Sequence, residues 1–155
     1  MSQVQIIPFK TEHRSAVVRI LTAIGWAEQY VTAAAENAVT FSQNPETLAA
    51  YAAQLNGEVV GFIYVKYAAW NQLTQIEGLA VDPAHHRKGV ALALVRQAEA
   101  FAREKQARGI YVDTPTTNQR GRAFYEAAGY LFGYIMPRYY EDQLDGVTYQ
   151  KFFTG

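Results

Sequence analysis

The chain has 155 residues, with 14 Lys or Arg against 14 Asp or Glu, half of its residues apolar and no cysteine. These values predict one globular domain, residues 1–155, with a core large enough to need no staples, and they exclude a disordered or disulfide-bonded chain. A formal net charge of zero argues against a nucleic-acid or anionic-membrane partner, and the absent thiol removes a cysteine nucleophile and a thiolate zinc site. The opening MSQVQIIPFK lacks the basic start and apolar stretch of a signal peptide, and no segment reaches the length of a membrane helix. A soluble, cytoplasmic protein is the expectation.

Residues 4–9 alternate weakly and predict a first strand. Thr11 as N-cap, with Val17, Val18, Ile20, Leu21 and Ile24 as an apolar stripe, predicts a helix that Gly25 ends. Residues 33–41 read as a second helix, broken by Asn44-Pro45. Residues 47–55 and 58–67 flank Asn56-Gly57, the pair that favours a two-residue hairpin turn, and residues 73–81 form the next strand. Residues 88–105 give the clearest helix, with Val90, Ala91, Leu94, Val95 and Ala98 on one face and Arg96, Glu99 and Arg103 off it. A short strand over 109–114 precedes a helix capped by Asn118 and stopped by Gly129. Residues 130–136 and 147–153 close the chain as two strands. The order predicts a single α+β domain, a mixed and mostly antiparallel sheet of about seven strands flanked by about four helices.

The stretch with most chemical content is 76–95, IEGLAVDPAHHRKGVALALV. An apolar strand with one carboxylate, Glu77, is stopped by Asp82-Pro83 and feeds a basic turn with a glycine, His85-His86-Arg87-Lys88-Gly89, into a helix. A helix start presents unpaired N–H groups and the positive end of its dipole, and glycine lets an anion approach the backbone, so the turn predicts a phosphate site. Local sequence fits a solvated basic turn equally well. Other motifs fail: Gly89-x-Ala91 lacks the third glycine of a dinucleotide fingerprint, Ser2, Ser15 and Ser42 sit in no nucleophile elbow, and adjacent His85 and His86 lack metal-ligand spacing. No metal is expected.

Two motifs together resemble the GNAT superfamily of acyl-CoA-dependent N-acetyltransferases. The Gln/Arg-x-x-Gly-x-Gly/Ala signature reads here His86-Arg87-Lys88-Gly89-Val90-Ala91, with His86 in place of the usual Gln or Arg. The Asn-x-x-small-x-x-Leu/Phe-Tyr-Glu-x-x-Gly-Phe/Tyr signature is carried by Asn118, Gly121, Phe124, Tyr125, Glu126, Gly129 and Tyr130 with every spacing kept. The resemblance implies a splayed sheet and acetyl-CoA as co-substrate. It also implies that the backbone of Leu79, Ala80 and Val81 holds the pantetheine arm, and that the amides from Arg87 to Ala91, through Lys88, Gly89 and Val90, hold the pyrophosphate. Asn118 would touch the pantetheine or its surroundings, Gly121 would leave room beside the cofactor, and Tyr125 would face the thioester sulfur.

Tyr125 reads either as a half-buried helix tyrosine or as the acid that protonates a leaving thiolate; Phe124, Ala127 and Ala128 are expected to supply the core face beside it. Glu77 reads either as a surface residue paired with Lys66 or as the base for an amine that is mostly protonated at neutral pH. Trp26, Tyr30, Tyr139 and Tyr140 are candidates for the acceptor pocket, and Glu141, Asp142 and Asp145 for attracting a cationic amine. The expected activity is acetyl transfer to an unidentified small-molecule or peptide amine, the alternative being a non-catalytic acyl-CoA-binding module. The aromatic C-terminal hairpin is a candidate homodimer surface.

Overall fold

The protein is described from residue 3 to residue 153 by a computed structural model; Ser2 and the ends of the predicted domain lie outside the described residues. One seven-stranded sheet runs through the molecule in the order β1-β2-β3-β4-β5-β7-β6. The strands are β1 Gln5–Pro8, β2 Leu48–Leu55, β3 Glu58–Ala68, β4 Leu73–Val81, β5 Gly109–Pro115, β6 Leu131–Glu141 and β7 Leu144–Phe152. All neighbours are antiparallel except β4 and β5. The helices are α1 Arg14–Ile24, α2 Glu28–Ser42, α3 Val90–Glu104 and α4 Gln119–Ala127.

The sheet separates two apolar layers. Val17, Ile20 and Leu21 of α1 and Val31, Ala35 and Ala38 of α2 pack on Phe62 and Tyr64; Leu94, Val95 and Phe101 of α3 pack on Ile63, Val65, Ile110 and Val112 from the other side. Strand β3 feeds both layers, which is why Val59 to Val65 is a continuous buried run rather than an alternating one. Asn56 and Gly57 both take positive φ, 54° and 79°, as a type I′ turn requires.

One irregularity shapes the molecule. Tyr64 stands opposite Gly78 and Val65 opposite Ile76, so Glu77 is the extra residue of a β-bulge. The parallel pairing of β4 with β5 runs from Leu73 with Gly109 only to Ile76 with Val112. Beyond it β4 continues with β3 to Val81, while β5 continues with β7 to Pro115. The two central strands therefore part at the bulge. Gly78 has to be glycine: a Cβ there would lie 2.2 Å from Cε1 of the Tyr64 ring.

Several expectations are corrected. Thr11 does not cap α1; Thr11–His13 is a 3-10 turn, with the Lys10 N–H donating to His13 Nδ1 at 2.9 Å. Helix α2 starts at Glu28, its buried stripe being mostly alanine and hence weak in sequence. Strand β6 runs on through Pro137 because this stretch, between Met136 and Glu141, makes no ladder pairs and needs no proline N–H.

Glu99, expected off the apolar face of α3, is 2% exposed. Its carboxylate accepts hydrogen bonds from Arg96 (2.9 and 3.0 Å), the Tyr130 hydroxyl (2.8 Å) and Lys151 (3.3 Å), tying α3 to the connection between α4 and β6 and to β7. Removing the carboxylate leaves the buried Tyr130 hydroxyl without its acceptor, while Arg96 and Lys151 still reach water, at a cost of roughly 1–3 kcal/mol. Glu99→Ala should therefore lower the unfolding free energy by about that amount, read from urea denaturation, with Glu99→Gln falling between it and the parent.

Candidate active site

Where β4 and β5 part, the structure holds a cleft of about 650 Å³. Leu79, Ala80 and Val81 form one wall, with no β5 partner on their open side. After Val81 the chain turns: the Asp82 carboxylate accepts the Ala84 N–H at 3.0 Å, and Pro83–His85 make a single 3-10 turn. Arg87 (φ 66°) and Gly89 (φ 78°) then take left-handed backbone before α3 starts at Val90. A left-handed residue followed by a helical one turns successive N–H groups to one side and makes an anion-binding concavity, here added to the free N–H groups of the α3 start. His86, Arg87, Gly89, Val90 and Ala91 line the cleft; Lys88 does not and is exposed. His85 also lines it, and its Nδ1 is buried without a hydrogen-bond partner. An apolar strand with free backbone groups, leading to a basic turn of N–H donors, fits a ligand with an amide-bearing arm and a phosphate end.

The opposite wall is α4, held by polar ties. Asn118 Oδ1 accepts the Gly121 N–H at 3.0 Å, while its Nδ2 donates to Thr114 Oγ1 of β5 at 2.8 Å. One donor and one acceptor of the Asn118 amide are thus used within the protein, and the residue lines the cleft. Arg122 donates to the Tyr149 hydroxyl at 3.1 Å and the Thr116 carbonyl at 3.0 Å, and Tyr149 donates to Glu126 at 3.0 Å. Tyr125 is the buried residue of α4, its ring 5.9 Å from that of Tyr130 and 6.1 Å from that of Tyr149. The expected core face is corrected here: Ala127 is exposed, and Tyr125 itself faces the core beside Ala128, with Tyr125 also lining the cleft. Burial alone pushes the Tyr125 phenol above its ordinary value, so it stays protonated through the neutral range.

Glu77 does not line the cleft. The bulge leaves it exposed, and its charge adds to the raising of the Tyr64, Tyr111 and Tyr139 phenols, which burial raises first. Partial burial raises the Glu77 carboxyl above the usual range, and Lys66 opposes that shift. Trp26 reaches the cleft from the α1–α2 junction together with Ile24. Asp145 is used structurally, its carboxylate accepting the Arg138 N–H at 2.8 Å.

Residues 17–130 match the acetyltransferase (GNAT) family. The chain belongs to that family. It is 36% identical over 77 residues to a streptothricin acetyltransferase of Streptomyces lavendulae, covering 50% of this chain and 41% of that protein. It is 33% identical over 97 residues to a streptothricin acetyltransferase of Escherichia coli, covering 63% and 55%. The chain thus spans about half the length of these two relatives. A Bacillus anthracis structure solved in complex with acetyl coenzyme A superposes with a TM-score of 0.68 and 28% identity, over 74% of this chain and 67% of that one.

Two features of this GNAT site escaped the sequence reading. Arg120 lines the cleft and bonds to His86, a contact 34 positions apart in sequence that no spacing rule would pair. Gly121 lines the cleft and is also small for a second reason: a Cβ there would meet the Asn118 side-chain amide. Gly121→Ala should therefore displace the Asn118 cap and cost about 1 kcal/mol. Thermal unfolding should show a melting temperature lower by roughly 2–4 °C.

Proposed function

We propose that the chain is an acetyl-CoA-dependent N-acetyltransferase that delivers the acetyl group to a small-molecule amine by direct transfer. The observation that carries this reading is the parting of β4 from β5, which opens between Leu79–Val81 and Tyr125 and ends on the left-handed turn at Gly89. Acetyl-CoA supplies the activated acetyl group. The free side of Leu79, Ala80 and Val81 hydrogen-bonds the pantetheine arm, and the Leu79 N–H polarises the acyl carbonyl. The turn from Arg87 to Ala91 holds the pyrophosphate through backbone amides, with exposed Lys88 adding charge from outside the cleft. Asn118 acts through the wall it fixes. Tyr125 protonates the departing sulfur, a role suited to a phenol that burial keeps protonated. Glu77, which does not line the cleft, takes the proton of the amine through water. The sequence has no cysteine, in keeping with a route that forms no thiol-bound enzyme intermediate.

The streptothricin acetyltransferases it matches support a small-molecule acceptor over a peptide. The tyrosines around Glu77, with the Asp113 charge near Tyr139 and Tyr140, favour a cationic one. A cytoplasmic setting, where acetyl-CoA is made and used, accompanies this reading; among the described residues no helix is long and apolar enough to cross a membrane. Strand β6 supports self-association. It is one of the two edge strands of the sheet, and Leu131, Phe132, Ile135 and Met136 are exposed on it. Sedimentation should show a dimer that Ile135→Glu separates.

Acetyl-CoA at about a hundred times its dissociation constant should add roughly 2.7 kcal/mol, raising the melting temperature by about 5–10 °C where NAD and ATP do not. Tyr125→Phe keeps the ring packing and should lower turnover by about a hundredfold with little change in acetyl-CoA affinity. Retained turnover would remove the acid role. Release of free CoA with any amine separates the enzyme from a pure acyl-CoA binder. Glu77 acts only when ionised, so turnover should rise with pH through its raised carboxyl titration, and Glu77→Gln should abolish that limb of the profile.

A further inference from the structure

At the first position of the turn signature stands His86, and both nitrogens of its ring are engaged inside the protein. Nε2 lies 3.0 Å from the Val81 carbonyl oxygen, and Nδ1 lies 2.5 Å from Nη1 of Arg120. A carbonyl oxygen only accepts and a guanidinium only donates, so the ring carries its hydrogen on Nε2 and offers the Nδ1 lone pair to Arg120. The imidazole clasps the end of β4 to the first turn of α4 across the cleft, and neither nitrogen is left for a ligand.

Arg120 is in the opposite condition. It is exposed, it lines the cleft, and the bond to His86 is its one side-chain hydrogen bond among the described residues. Most donors of its guanidinium are therefore free, and they share the cleft with the Gly89 turn and the unpartnered His85 Nδ1. A planar, permanently charged fork of donors matches phosphate oxygens, and a side chain already held in place loses less freedom on binding.

We propose that Arg120 binds a phosphate group of the cofactor and that His86 is its positioning residue. The inference rests on the cleft being an acyl-CoA site. The cofactor offers two such groups, the pyrophosphate and the ribose phosphate, and the test separates them.

Calorimetric titration of S-acetylpantetheine, acetyl-dephospho-CoA and acetyl-CoA into the parent, Arg120→Gln, His86→Ala and the double variant tests this. Arg120→Gln should weaken acetyl-CoA by roughly tenfold and leave S-acetylpantetheine unchanged. A loss shared by acetyl-dephospho-CoA assigns Arg120 to the pyrophosphate; a loss confined to acetyl-CoA assigns it to the ribose phosphate. His86→Ala should reproduce part of the loss, and the double variant should be no worse than Arg120→Gln. Parent-like binding of all three ligands by Arg120→Gln, or an equal loss for S-acetylpantetheine, would overturn the phosphate role. A double variant whose loss is the product of the two single losses would overturn the positioning role of His86. Failure of the parent to bind any of the three would overturn the acyl-CoA reading, and this inference with it. Arg120 is exposed, and melting of each variant without ligand checks that the fold is kept.

Discussion

Ile76 and Val112 are the last residues to pair β4 with β5, and every element of the candidate site lies beyond them. A flat continuation of that ladder would have used the backbone groups of Leu79 to Val81 internally and left no cleft. The single inserted residue at the Glu77 bulge increases the local twist and turns β4 away. Strand β4 keeps β3 as its partner, β5 keeps β7, and the cost of the missing pairs falls on one short open edge. Gly78 permits this because Tyr64 crosses where its side chain would be. The bulge thus opens the binding wall and, in the same step, sends Glu77 away from it towards the tyrosines.

The two walls of the cleft are stabilised in different ways. The β4 wall and the start of α3 rest on the apolar core, with Val90, Leu94 and Val95 buried. Helix α4 has little apolar stripe, and polar ties hold it instead: Asn118 to Thr114, Arg122 to Tyr149 and Thr116, and the Glu99 cluster near its C-terminal end. Hydrogen bonds are directional where apolar packing is not, so this arrangement fixes Tyr125 in rotation as well as depth. The cluster around the buried Glu99 carboxylate is placed to hold the helix register rather than to add net stability, since burying that charge costs much of what pairing returns.

Charge is organised locally. The whole chain is neutral, yet Arg87 and Arg120 line one end of the cleft, and Glu77 and Asp113 lie among tyrosines away from it.

The strands, the long α3 helix, the Asn56-Gly57 turn and the Asn118 cap were legible in the sequence because each depends on residues a few positions apart. The two signatures likewise placed the turn at Gly89 and the tyrosine at 125, and the structure brings both to one cleft. Sequence by itself thus determined the element order, the family and the residues of the turn. Tertiary structure alone decided the rest. It set Glu77 outside the cleft, buried Glu99, spent the Asn118 side chain on Thr114, and joined His86 to Arg120. Each of these depends on which strands meet and where pairing stops, and such contacts between distant segments leave no local period in the chain.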